Sequence, residues 1–157
     1  MLELPELDYS NKPAFYEDLR LAAQGLVAGE SDRVANCANL SALLFHSLPR
    51  VNWLGFYLMR DGELVVGPFQ GKPACVRIAV GEGVCGTAVA ERQTQVVADV
   101  EAFPGHIACD ADSRSEIVIP LLADGTVLGV LDIDAPIPNR FDDQDRQGLE
   151  AIARLVQ

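Results

Sequence analysis

Basic residues are scarce in this chain: 12 lysines and arginines stand against 23 aspartates and glutamates, a formal charge of −11 over 157 residues. So negative a surface repels phosphate backbones and anionic lipid headgroups, which argues against nucleic acid or a membrane surface as a partner. A secretory signal is not legible either. Met1-Leu2-Glu3-Leu4-Pro5-Glu6-Leu7-Asp8 lacks both the basic start and the apolar run that such a signal needs. No stretch approaches the roughly 18 apolar residues of a membrane-spanning helix. The expectation is a cytoplasmic, reducing compartment, where the four cysteines serve as free thiols, ligands or redox groups rather than as permanent cross-links.

Several catalytic signatures are missing as well. There is no Cys-x-x-Cys pair, and Cys75, Cys85 and Cys109 are spaced by ten and then 24 residues with no histidine set nearby, which argues against a structural zinc site. Gly81, Gly83 and Gly86 look like a phosphate loop only superficially, because no Lys-Ser/Thr follows them. His46 and His106 stand apart from any evident serine–acid partner, so a hydrolase triad is not supported. Internal repeats, low-complexity tracts and a second domain are absent, and the length suits one self-sufficient core.

What is present reads as two helices, a set of strands and a closing helix. After an arm over residues 1–11, Ser10 or Asn11 can cap a helix in which Phe15, Leu19, Ala22 and Leu26 recur at helical spacing. Ala28-Gly29-Glu30 breaks it. A second helix from Ser31-Asp32 carries Val34, Cys37, Leu40, Leu44 and Leu48 on one stripe and stops at Pro49. The period then turns towards two: Val51–Leu58, a turn at Asp61-Gly62, Glu63–Val66, a loop over Gly67–Pro73, and a strand over Cys75–Val80. A short helix over Thr87–Arg92 and a strand over Gln95–Ala98 follow the glycine-rich segment. Residues 99–115 have no periodicity, and ordered loops of that length tend to carry function. Glu116–Leu122 and Thr126–Asp134 form a hairpin about Ala123-Asp124-Gly125, and Asp142 caps a last helix with Leu149, Ile152, Ala153 and Val156 inward. This order gives an α+β domain over residues 12–157, a mostly antiparallel central sheet covered on one face by helices.

Three groups of side chains suggest chemistry. Cys37 sits on an apolar helical stripe and reads as core, whereas Cys75, Cys85 and Cys109 lie in or beside loops. A thiolate that attacks an oxidised substrate needs a second thiol to convert the resulting sulfenic acid to a disulfide, and three such cysteines supply both roles and a reserve. Cys85 lies near a helix start, where backbone N–H groups lower a thiol pKa. Asp132 and Asp134, two apart, share one face of a strand, and Glu116 begins the partner strand, so three carboxylates can converge at one sheet end. Either they are a solvated strand end, or they bind an ammonium group, with crowding that keeps one of them neutral as a proton donor. Trp53 and Tyr57 face the same way with Gly55 between them leaving space, either as ordinary core or as the wall of a pocket for a methyl-sized group.

Gly81-Glu82-Gly83-Val84-Cys85-Gly86-Thr87-Ala88, Val97-Ala98-Asp99-Val100, Ser115–Leu121, Gly129–Asp134 and Phe141–Asp145 together resemble the GAF domain pattern. More narrowly, Asn52–Tyr57, Gly67-Pro68-Phe69-Gln70-Gly71 and His106-Ile107-Ala108-Cys109-Asp110 are similar to the free methionine-(R)-sulfoxide reductases. The resemblance runs from about residue 12 to the end of the chain. It implies that Cys109 attacks the sulfur of free L-methionine (R)-sulfoxide, that Cys75 or Cys85 resolves the sulfenic acid, and that thioredoxin restores the dithiol without any bound cofactor. It also implies that Trp53 and Tyr57 hold the methyl group, that Glu116, Asp132 and Asp134 hold the ammonium group and protonate the oxygen, and that no metal takes part. A homodimer is compatible with it. The rival accounts are a non-catalytic GAF module that binds a small ligand, and a thiol switch without a substrate. The first leaves three loop-proximal cysteines without a purpose, the second leaves the carboxylate–aromatic pocket without one.

Overall fold

Asn11 starts the first helix. Its side-chain oxygen accepts from the Ala14 amide, Pro13 sits in the first turn, and α1 runs Lys12–Val27 in a computed structural model that describes residues 7–157. Of the arm expected over residues 1–11, residues 1–6 lie outside the described residues, while Leu7 and Tyr9 pack on the helical core. Asp32 caps α2, Arg33–Ser47, by accepting from the Ala35 amide. Its buried stripe takes in Cys37, Leu40 and Leu44, whereas Val34 in the first turn is exposed.

Strands β1 (Trp53–Arg60), β2 (Glu63–Gln70), β3 (Arg77–Ala79), β4 (Gln95–Val97), β5 (Ser115–Ala123) and β6 (Thr126–Ala135) form one sheet in the order β3-β2-β1-β6-β5-β4. Every neighbouring pair is antiparallel. The strand β2 continues through the glycine and proline that suggested a loop, because Leu54 and Gly55 of β1 pair with Gln70 and Phe69. Helix α3 (Gly83–Glu91) starts four residues earlier than expected, inside the glycine-rich segment, and α4 (Asp143–Ala153) opens with a reciprocal Asp142–Asp145 capping box.

Helices cover both faces of the sheet, not one. On one face α1, α2 and α4 bury Leu54, Phe56, Leu58, Ile117, Ile119, Leu131 and Ile133. On the other, α3 and the long loop pack over Trp53, Tyr57, Val118 and Val130. The central strands carry the reason in their composition: Trp53–Leu58 and Ser115–Leu121 are continuously buried rather than alternating, so neither face is left to water. The second face is where polar residues collect. No helix among the described residues is long and apolar enough to cross a membrane.

Candidate active site

Sheet register brings the carboxylates together. Asp134 of β6 lies opposite Trp53 of β1 on one side and Glu116 of β5 on the other, and Asp132 follows two residues before it on the same face. These residues floor a pocket of about 510 Å³, counting its mouth, roofed by the start of α3 and by the loop carrying His106, Ile107 and Cys109. Gly83 begins α3 with a φ of +59°, and a side chain there would meet Ile107 of the roof at 3.1 Å. That close approach leaves Cys85, two residues on, facing the carboxylates.

The floor is strongly acidic and desolvated. Glu116 and Asp132 are only 5% and 6% exposed, and one ligand atom each of Cys85, Glu116 and Asp132 lies within 4.8 Å of the others. Burial first, then mutual repulsion, raises the pKa values of Glu116, Asp132 and Asp134 well above the ordinary carboxylate range. At this range Glu116 and Asp132 repel one another when both are ionised, which favours the pair in which one of them carries a proton. Five carboxylates and neither lysine nor arginine line the pocket; Lys72 pairs with Asp110 from outside it at 3.7 Å and Glu82 is exposed, so protons or a bound cation are left to offset Glu116, Asp132 and Asp134. The start of α3 does not depress Cys85 as expected. Burial, with Asp132 and Glu116 beside it, pushes that thiol upward and keeps it neutral.

Trp53 and Tyr57 form an aromatic wall, their rings stacked at 5.8 Å between centroids. Each is anchored at its polar tip: the Trp53 indole donates to the Lys72 carbonyl at 3.0 Å and the Tyr57 hydroxyl donates to the Cys75 carbonyl at 3.1 Å. Gly55 does not leave empty space for a ligand between them. Phe69 of β2 fills it, stacking on Trp53 at 5.2 Å, and a Cβ at Gly55 would sit 2.3 Å from that of Phe69. At the rim, Cys75 and Cys109 are joined in a disulfide with Cα atoms 5.5 Å apart. Asn52 donates to Asp110 at 3.1 Å and to Ser113 at 3.2 Å, fixing the loop on either side of its turn.

A GAF domain family model matches residues 28–157. The chain is 56% identical to the free methionine-R-sulfoxide reductase of Escherichia coli over 147 residues, covering 94% of this chain and 89% of that protein. The chain belongs to the GAF domain family, in its free methionine-R-sulfoxide reductase branch. Among solved structures, the fRMsr of Staphylococcus aureus in complex with substrate superposes on this GAF domain with a TM-score of 0.87 at 51% identity, covering 99% and 97% of the two chains. The free methionine-R-sulfoxide reductase of Neisseria meningitidis in complex with its substrate gives 0.91 at 44% identity, covering 99% and 92%.

All eight residues singled out from the sequence thus meet in one region of this GAF domain: the carboxylates on the floor, the aromatics along one wall, Cys85 in the roof facing the floor, and Cys75–Cys109 across the mouth. Sequence reasoning gave no role to His106, whose Nε2 lies 3.7 Å from Glu116 Oε2 and whose pKa burial lowers. Its position three residues before Cys109 was the available signal. The parts of Asn52, Asp110 and Ser113 in holding the loop had none, since they depend on contacts across 58 to 61 residues of chain.

Proposed function

We propose that this GAF domain reduces free L-methionine (R)-sulfoxide to L-methionine, with Cys109 as nucleophile and Cys75 as resolving thiol. The observation that carries the reading is the Cys75–Cys109 disulfide across the mouth of a pocket that combines an aromatic wall with a buried acidic floor. A pocket that small and that acidic suits a free amino acid, whose ammonium group offsets the carboxylates. The sulfoxide methyl group then lies against Trp53 and Tyr57.

In the reduced enzyme the Cys109 thiolate attacks the sulfoxide sulfur. A proton from the Glu116–Asp132 pair passes to the sulfoxide oxygen, making sulfur more electrophilic, and the raised pKa values keep that proton available near neutral pH. The S–O bond of the substrate breaks as oxygen passes to Cys109; methionine leaves and Cys109 becomes a sulfenic acid. Cys75 attacks that sulfur, the disulfide forms and water departs. Two thiols have then been oxidised and one sulfoxide reduced. Thioredoxin, a dithiol, regenerates the pair by exchange, so no bound cofactor is required. Cys85, neutral and buried, is a reserve thiol that can take over resolution or accept the disulfide. A cytoplasmic setting follows from the need for that reductant, and a homodimer is tested by sedimentation velocity.

Thioredoxin-coupled NADPH oxidation with the free R epimer, the free S epimer and a peptide-bound sulfoxide tests the assignment. Turnover of the free R epimer alone is expected. Equal turnover of the peptide-bound substrate would contradict a pocket closed around a free amino acid.

A further inference from the structure

The acidic floor contains more than an ammonium site needs. Cys85, Glu116 and Asp132 each offer a donor atom within 4.8 Å of the others, and all three residues are buried. Ligands of a tetrahedral zinc ion sit about 3–4 Å apart, so closing this set around a cation needs only small side-chain movements. Two further observations point to a cation. Oδ1 of Asp132 is buried with no hydrogen-bond partner, although Asp132 lines the pocket. In addition, His106 approaches Glu116 to 3.7 Å from the roof, which brings an imidazole nitrogen to the edge of the set.

We propose that the pocket floor is a binding site for a borderline-soft divalent cation of the zinc type, held by Cys85, Asp132 and Glu116 with His106 as fourth donor, and that the cation and the substrate ammonium group exclude one another. A sulfur and an imidazole nitrogen among the donors select against calcium and magnesium, which take oxygen ligands. Binding displaces the Cys85 thiol proton to solvent and replaces the shared carboxyl proton with a metal bond, so no redox change occurs. The site is compatible with the oxidised protein, because Cys85 remains a free thiol while Cys75 and Cys109 are joined. Zinc-type cations would thereby inhibit the reductase reversibly. That consequence rests on the proposed function, whereas the metal site itself does not.

The test uses the full chain with the Cys75–Cys109 disulfide intact and Cd2+ as the probe. Binding should produce a thiolate-to-cadmium charge-transfer absorption at one equivalent, and the Cys85→Ser variant, which retains Cys37, should lose it. An absent band, or one that survives in Cys85→Ser, overturns the site. Should Cys85→Ser fail to fold, Asp132→Asn serves instead: Zn2+ affinity by calorimetry should fall at least about tenfold, and unchanged affinity overturns the proposal. Free methionine should shift the cadmium midpoint upward; a midpoint that does not move overturns mutual exclusion. A cadmium band in a protein without sulfoxide turnover supports the site while removing the reductase reading, so the two claims fail separately.

Discussion

Replacing Asp132 with asparagine should stabilise the resting protein while destroying its activity. Asp132 is 6% exposed, one of its oxygens has no partner, and Glu116 and Asp134 crowd it. Leaving a buried polar group unsatisfied costs about 1–3 kcal/mol, and more for a charged one. Asparagine removes the charge, keeps an oxygen near the Cys85 thiol, and adds an N–H that can donate to Glu116. A gain of about 1–3 kcal/mol in urea unfolding is therefore expected at about pH 8. The sign with pH follows from the raised folded pKa: the stability associated with neutral Asp132 is complete below its ordinary value of 3.8 and is lost as pH rises through the folded value. The advantage of Asp132→Asn over wild type should accordingly shrink on going from about pH 8 to about pH 5. His106, whose lowered pKa acts with the opposite sign, is common to both proteins and cancels in the difference. Turnover of free methionine (R)-sulfoxide should fall by about 10²–10⁴, the usual contribution of a general acid. A variant that is less stable than wild type at the higher pH and still turns over would refute this reasoning.

The other perturbations are simpler. Asp145 is fully buried under Lys12, Tyr9, Tyr16 and Arg140, and despite the upward pull of burial, its bonds to Lys12 and Tyr9 hold its pKa below the carboxylate range. Asp145→Asn leaves Arg140 buried without its counter-ion and should cost about 3–5 kcal/mol in chemical unfolding. Because the folded pKa is depressed, the contribution of Asp145 exists above the unfolded value of 3.8 and is lost as pH falls through the folded one. In Cys75→Ser, the Cys109 sulfenic acid should persist long enough to be trapped by dimedone, and steady turnover should fall at least about tenfold, since the neutral, buried Cys85 is a poor attacking thiol. Wild-type turnover in that variant would transfer the resolving role to Cys85.

Most of the elements were legible because local signals agreed with tertiary need: Asn11, Asp32 and Asp142 cap the helices they were expected to cap, and the Asp124-Gly125 turn closes the β5–β6 hairpin. The Asp132–Asp134 spacing made a shared face certain once β6 existed. What the sequence could not give was depth. Alternation rules distinguish an exposed face from a buried one, but continuously apolar strands such as Trp53–Leu58 are silent about what covers the second face, so the helix α3 was expected but its place on the far side was not. Burial also reversed the reading of Cys85: a helix start favours a thiolate in water, yet desolvation beside two carboxylates outweighs it. Phe69 filling the space over Gly55 depends on strand pairing, which glycine spacing alone does not specify.

The most direct test of the account is a single turnover without reductant. Fully reduced protein is mixed with one equivalent of free L-methionine (R)-sulfoxide, quenched with an alkylating agent and mapped by mass spectrometry. The account predicts one methionine released per chain, a Cys75–Cys109 disulfide, and alkylated Cys85 and Cys37. Methionine release with Cys109 left as a free thiol, or all four thiols alkylated and no methionine formed, would contradict it.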